Sequence, residues 1–323
     1  MFDRRHLLPI LLFAAACGPA PDAPRERIII PPGATVRSIA DSLAAHGVIS
    51  SQRWFRLVAR IGGYDRGLRS GPYELIRGQG ARSALKALTG GHALLTRFMV
   101  PEGFTLQDIA QAAESTLRIP RDQFLAVARD TALLREFAVP AASFEGFLKP
   151  ETYLFADGVG PEVVVRTLAG AARADWDSSF AAGAASQGLD RLTAVILASL
   201  VEGEAKVDQD RPLVAAVYRN RLRIGMPLQA DPTVQYAIAI ATGRRKPRLY
   251  EKDYGVSSPY NTYLKSGLPP GPVGTPGRRS IEAVLAAPAV PFLYFVAGPD
   301  GAHIFTRSYA EHRRAVRRMQ HAN

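Results

Sequence analysis

The stretch Leu192 to Val201 carries almost no polar side chain, only Thr193 and Ser199, and it runs directly into Glu202-Gly203-Glu204-Ala205. A helix that is apolar on every face has to be enclosed by other elements, so this segment demands a sizeable core around it. A chain of 323 residues, 47% of them apolar, can supply one. The two carboxylates at the end of the run are two positions apart and therefore leave a helix on roughly opposite sides. Gly203 between them weakens a helix by about 1 kcal/mol relative to alanine, which places the pair near a helix end, at the lip of a cleft. A carboxyl buried without a cation has a raised pKa, the property a general acid needs near neutral pH. Spacing alone leaves the plainer alternative open, in which both glutamates are exposed at a helix terminus and paired with Arg211 or Arg219.

An internal repeat organises the N-terminal part. Ile30-Pro31-Pro32-Gly33-Ala34-Thr35-Val36-Arg37-Ser38-Ile39-Ala40 matches Val100-Pro101-Glu102-Gly103-Phe104-Thr105-Leu106-Gln107-Asp108-Ile109-Ala110. Each copy has an apolar strand before it (27–30 and 96–100), a Pro-x-Gly turn, a threonine able to cap, and an amphipathic helix. A second strand is expected over 71–76 and a helix over 81–88, closed by Gly90-Gly91. Small strand–helix–helix–strand units that open this way resemble the LysM glycan-binding module.

The first residues follow the tripartite pattern of an export signal: basic Arg4-Arg5, an apolar run from Leu7 to Ala16, then small residues before Cys17. The run is about ten residues long where a bilayer span needs about twenty. Ala14-Ala15-Ala16-Cys17 resembles a bacterial lipoprotein signal, which makes Cys17 the candidate lipidation site, with an uncleaved anchor or conventional cleavage as alternatives. Every alternative puts the globular part outside the cytoplasm. A single cysteine excludes an internal disulfide. The formal charge of +11 favours polyanions such as anionic lipid or a carboxylate-bearing wall polymer. No nucleic-acid motif accompanies it, so no nucleic acid is expected.

Helices are expected over 106–140, 160–183, 190–205 and 212–224, followed by a loop-rich stretch beyond Pro259. A hairpin is expected from Leu293–Val296 and His303–Thr306 across Gly298–Gly301, then a basic C-terminal helix. The fold class is α+β: a small LysM-like α/β module, then a mixed, mainly helical domain with a C-terminal β-hairpin. The divisions are 1–17 export segment, 18–26 tether, 27–93 LysM-like module, 94–143 second repeat-like linker module and 144–323 catalytic domain.

Three further stretches accompany the acidic pair in order: Arg211-Pro212-Leu213 through Gln229-Ala230-Asp231-Pro232-Thr233 to Tyr236, then Tyr260-Asn261-Thr262-Tyr263, then Gly267-Leu268-Pro269-Pro270-Gly271-Pro272. Together they resemble the YceG-like endolytic murein transglycosylase family over essentially the whole chain after the tether. The resemblance implies a membrane-bound lytic transglycosylase that cuts nascent glycan strands internally, ending their elongation. It implies peptidoglycan as substrate, the inner membrane as location with the catalytic part in the periplasm, and peptidoglycan synthases as candidate partners. It carries the catalytic glutamate to Glu204, with Glu202 as runner-up. Two departures bear on local geometry: Gly203 stands where the family often has a charged residue, and Lys149 where an apolar one is usual.

A lytic transglycosylase needs one carboxylate, because the muramate 6-hydroxyl is an internal nucleophile. Glu204 is then the acid and the base in turn. Gln229, Asp231 and Thr233 are expected to orient substrate or support the glutamate. Tyr260, Asn261, Thr262 and Tyr263 form a polar aromatic wall for sugars, and Glu151 is an auxiliary carboxylate. For Gln229 and Asp231 the alternative is an ordinary Asp-Pro turn, and for Tyr260–Tyr263 it is a set of core aromatics beside a loop. No metal or cofactor is required. The competing functions are a glycan-binding scaffold without turnover and a lysozyme-type hydrolase.

Overall fold

In the computed structural model, which describes residues 23–90 and 95–321, the repeat unit sets the local geometry twice. Strand β1 (Arg25–Ile30) buries alternate residues, Ile28 and Ile30, and leaves Ile29 outside. Gly33 then turns the chain at φ +75°, a left-handed value that suits glycine, and Thr35 caps helix α1 (Val36–Ala45) by accepting the Ser38 N–H at 3.2 Å. The second copy repeats this plan. Strand β3 (Leu95–Met99) leads to Gly103 at φ +76°, and Thr105 with Asp108 forms a reciprocal capping box on helix α4 (Leu106–Leu117).

The described chain divides into two compact units, one running to Thr96 with Ala156–Gly158, the other comprising Arg97–Phe155 and the chain from Val159. In the first, α1 is followed by α2 (Gln52–Ile61), strand β2 (Gly71–Ile76) and α3 (Ala81–Gly90). Helix α2, capped by Ser51, had no counterpart among the expected elements. Its apolar positions Phe55 and Ala59 complete a strand–helix–helix–strand core with Leu43, Tyr73, Leu75 and Leu85. β1 and β2 are antiparallel, with Ile28 opposite Tyr73.

β3 pairs with β4 (Thr152–Ala156) in a second two-stranded sheet. Between them lie α4, α5 (Arg121–Val127) and α6 (Thr131–Glu136), three short helices where one helical region was expected. Helix α7 (Pro161–Asp175) loosens into a π-helical turn at Trp176–Phe180 before α8 (Ala181–Ser186). The apolar run forms α9 (Arg191–Glu204), and every residue from Ala194 to Val201 is buried, as its composition requires. Around it lie α10 (Arg211–Arg223), α11 (Asp231–Thr242) and α12 (Arg278–Leu285). The chain closes with the expected antiparallel hairpin, β5 (Tyr294–Ala297) and β6 (His303–Thr306), and helix α13 (Tyr309–His321). The apolar run at 7–16 and Cys17 lie outside the described residues. Among the described residues no helix is long and apolar enough to cross a membrane.

Candidate active site

The two glutamates at the end of α9 have different partners. Glu202 is fully engaged. Its Oε1 pairs with Arg211 Nη1 at 3.1 Å, and its Oε2 accepts the Gly277 N–H at 2.9 Å and the Ser280 hydroxyl at 2.8 Å. The two charged side chains are 9% and 11% exposed. Glu202 therefore fastens α9 to the start of α10 and the N-terminus of α12. The pairing with Arg211 that the plainer reading offered is present for this residue, but the side chain is shielded and not exposed.

Glu204 turns the other way. Its Oε1 accepts the Tyr218 hydroxyl at 3.0 Å and the Asp231 N–H at 3.1 Å. Its Oε2 has no hydrogen-bond partner among the described residues, nor is it sealed in the interior. Burial pushes the carboxyl up to about 7; the nearby Asp231 carboxylate adds to this, and the Tyr218 and Asp231 N–H donors and the Arg221 charge partly oppose it. A carboxyl half protonated near neutral pH, with one oxygen fixed and one free, is built to give and take a proton.

Gly203 has a steric reason to be glycine. A Cβ at this position would lie 2.5 Å from Pro232 Cγ. The missing side chain lets Pro232, in the first turn of α11, sit on the end of α9, which is how the Asp231 N–H reaches Glu204. Asp231-Pro232 thus begins a helix, where proline at the first turn costs no hydrogen bond, and the turn alternative is set aside. A Gly203→Ala chain is expected to lose about 1–3 kcal/mol by overpacking, read as a lowered thermal midpoint. It should also lose activity beyond that, because Asp231 is pushed off Glu204.

Glu204 lines a cleft of about 410 Å³ together with Arg221, Gln229, Asp231 and Tyr263. Gln229 has φ +49°, left-handed for a non-glycine residue, and its N–H is held by the Thr262 carbonyl at 3.1 Å. Such a conformation costs on the order of 1–3 kcal/mol and persists where surroundings enforce it, commonly at functional sites. Asp231 Oδ1 accepts the Tyr263 hydroxyl at 2.6 Å and Oδ2 the Tyr254 hydroxyl at 3.5 Å. Burial and then that hydrogen bond push the Tyr263 phenol well above its usual range.

Other expected site residues do not reach the cleft. Thr233, Asn261 and Thr262 are fully buried. The Thr233 and Thr262 hydroxyls meet at 2.9 Å, Thr262 Oγ1 accepts the Ala230 N–H at 3.0 Å, and Asn261 Nδ2 donates to the Tyr254 and Val256 carbonyls at 2.9 Å each. They brace the loop that holds Gln229 and Asp231. Tyr260 packs on Tyr236, 4.7 Å between ring centres, and is not among the residues lining the cleft with Glu204. Glu151 lies elsewhere. It pairs with Lys149 at 3.3 Å and lines a separate hollow of about 240 Å³ with Asp175, which Lys149 reaches at 3.0 Å. The lysine that departs from the family pattern thus has two acidic partners.

Several residues at the site were not foreseen. Tyr218 and Arg221 are three apart on α10, the spacing of one helix face, which is the signal that could have found them. Arg221 Nε donates to the Leu293 carbonyl at 2.7 Å and Nη1 to the Leu228 carbonyl at 2.7 Å, tying the hairpin to the Gln229 loop. The hairpin and α13 also line the cleft, through Tyr294, Phe295, His303 and His312 among others. Deeper, Glu145 accepts the Leu106 N–H at the N-terminus of α4 and the Tyr236 hydroxyl at 3.0 Å, and burial pushes it up to about 7.

The profile of the YceG-like family matches residues 28–318. The chain is 32% identical over 306 residues to the endolytic murein transglycosylase of Bacillus subtilis (strain 168), covering 89% of this chain and 83% of that protein. It is 29% identical over 322 residues to the endolytic murein transglycosylase of Streptococcus pneumoniae serotype 2 (strain D39 / NCTC 7466), spanning 91% of this chain and 58% of the pneumococcal protein. The crystal structure of a yceG-like protein from Listeria monocytogenes superimposes with a TM-score of 0.62 at 28% identity, covering 91% of this chain and 99% of that one.

Proposed function

The chain belongs to the YceG-like family, and on that premise we propose that it is an endolytic lytic transglycosylase of peptidoglycan, with Glu204 as its single acid/base. The observation that carries the assignment is the Glu204 carboxyl: pushed up to about 7, fixed through Oε1 and free at Oε2 in the cleft. Glu204 protonates the oxygen bridging N-acetylmuramate to N-acetylglucosamine as the C1–O bond breaks. The resulting carboxylate takes the proton of the muramate 6-hydroxyl as O6 closes on C1. The acid is regenerated and the product ends in 1,6-anhydromuramate. Because O6 belongs to the same sugar, orientation replaces a second reactant.

Asp231 supplies a second carboxylate in the cleft, which raises the hydrolase reading. Both its oxygens are taken by tyrosine hydroxyls, so it acts as a fixed negative charge that raises Glu204 and aligns its partner N–H. Products decide the question: peptidoglycan incubated with the full chain should release fragments with anhydromuramate ends by mass spectrometry. Reducing muramate ends would make it a hydrolase, and glycan binding with no cleavage would make it a scaffold.

The N-terminal unit is read as a LysM-like glycan-holding module, supported by its strand–helix–helix–strand order and antiparallel strands. Export with a lipidated Cys17, attachment to the inner membrane, a periplasmic catalytic part and contact with peptidoglycan synthases complete the proposal. Their support is the sequence pattern of the first residues and a substrate made outside the cytoplasm.

A further inference from the structure

A buried acid–imidazole pair, whose histidine lines the same cleft as Glu204, is not used by the mechanism above. Asp210 ends the short turn before α10 and is 8% exposed. Its Oδ2 accepts both the backbone N–H of His303, at 2.6 Å, and His303 Nδ1, at 2.9 Å. The two side chains are 11% and 5% exposed. A carboxylate can only accept, so the imidazole carries a proton on Nδ1 and its second nitrogen, Nε2, is left for another partner. The ring is wedged against Phe295, 5.1 Å between centres at 84°, and Phe305, at 6.0 Å. Apolar rings flank it and Asp210 holds one nitrogen, which leaves Nε2 as its one unengaged polar atom. Among the described residues Nε2 has no hydrogen-bond partner and is not sealed, and His303 lines the same cleft as Glu204.

An imidazole held at Nδ1 by a buried aspartate, in the lining of the cleft that also holds Glu204, has its second nitrogen prepared for a partner that arrives with the ligand. We propose that His303 is a substrate-contacting residue, its Nε2 accepting a hydrogen bond from a hydroxyl or acetamido N–H of the amino sugar seated against Glu204. Asp210 is its positioning residue. The proposal rests on the peptidoglycan reading of the cleft. It gives the C-terminal hairpin a role that its sequence does not announce: to bring one acceptor to the sugar in the cleft that holds the acid.

The test uses the full chain carrying Glu204→Gln, which holds glycan without cutting it. Uncrosslinked glycan strands are titrated into this protein, labelled with nitrogen-15 at histidine. The expected result is an unprotonated His303 Nε2 resonance that moves upfield as strands bind. Added His303→Phe should weaken binding about tenfold, the size of one lost hydrogen bond, whereas His303→Gln, which keeps an acceptor, should stay within about threefold. Asp210→Asn, which frees the tautomer, should fall between them. An Nε2 resonance that stays in place, or equal affinities for Phe and Gln, would overturn the proposal. If the Phe chain does not fold, the resonance of the unaltered histidine decides. Failure of the transglycosylase reading shows separately, as absence of anhydro ends from the wild-type chain, while the titration still reports on His303.

Discussion

A Glu204→Gln chain is expected to fold, hold glycan and release no anhydromuramate ends, with turnover reduced at least about a thousandfold. The size follows from the double duty of one group: proton transfer by a positioned acid or base contributes about 10²–10⁴, and here the same carboxyl serves both halves of the reaction. Glutamine keeps a carbonyl oxygen for the Tyr218 hydroxyl and the Asp231 N–H, so geometry survives while the proton is lost. The pH behaviour has a definite sign. Glu204 is raised from 4.5 to about 7, so the acid form is present below about 7 and wild-type turnover should decline as pH rises through that value. The same shift acts on stability. The folded state binds the proton more tightly than the unfolded chain, so this contribution is complete below about 4.5 and is lost progressively up to about 7 and beyond. Because Glu204 is partly open to the cleft, the loss is set at about 1–2 kcal/mol, below the limit for a sealed group. Glutamine cannot ionise, so the variant should melt above wild type at pH 8 and with it at pH 4. The raised Glu145 is present in both chains and cancels. A glutamine chain with more than a tenth of normal turnover would remove Glu204 from the reaction.

What could be read in the sequence were the features set by local physics. The apolar run from Leu192 to Val201 required burial, and it is buried. The Pro-x-Gly-x-Thr repeat required a glycine turn and a capped helix in each copy, and both are present. The hairpin announced itself by two apolar stretches around Gly298–Gly301. What escaped was set by contacts distant along the chain. Nothing near Thr233 or Thr262 says that their hydroxyls meet each other in the interior; a polar residue in a motif looks the same whether it faces substrate or braces a loop. Glu151 follows an aromatic turn, but Lys149 and the hollow beside Asp175 claim it. The hairpin reaches the cleft through Arg221 and Asp210, each more than seventy residues away. Gly203 looked like a weakness in a helix, and its reason, the approach of Pro232, lies on another element.

Glu202→Gln should give the opposite result: a chain that still cuts glycan at reduced temperature but has lost much of its stability. Arg211 and Glu202 are each about nine-tenths shielded, and removing one member of such a pair leaves the other uncompensated, typically at a cost of 3–5 kcal/mol. Two features soften the loss. Asp208 also holds Arg211, at 3.0 Å, and glutamine can still accept from Gly277 and Ser280. About 2–3 kcal/mol is therefore expected for glutamine and the full cost for alanine, or roughly 4–12 °C in the melting midpoint for glutamine in a unit of this size. Replacing both partners with methionine should recover much of it, since an apolar pair leaves no stranded charge. The catalytic constant of the folded fraction should stay within a few-fold of wild type, because Glu202 spends both oxygens on Arg211, Gly277 and Ser280. The two adjacent substitutions thus separate cleanly: glutamine at 204 removes turnover and raises the melting point at alkaline pH, while glutamine at 202 lowers the melting point and spares turnover. The reverse pattern would move the acid to Glu202 and make Glu204 the residue that holds α9 against its neighbours.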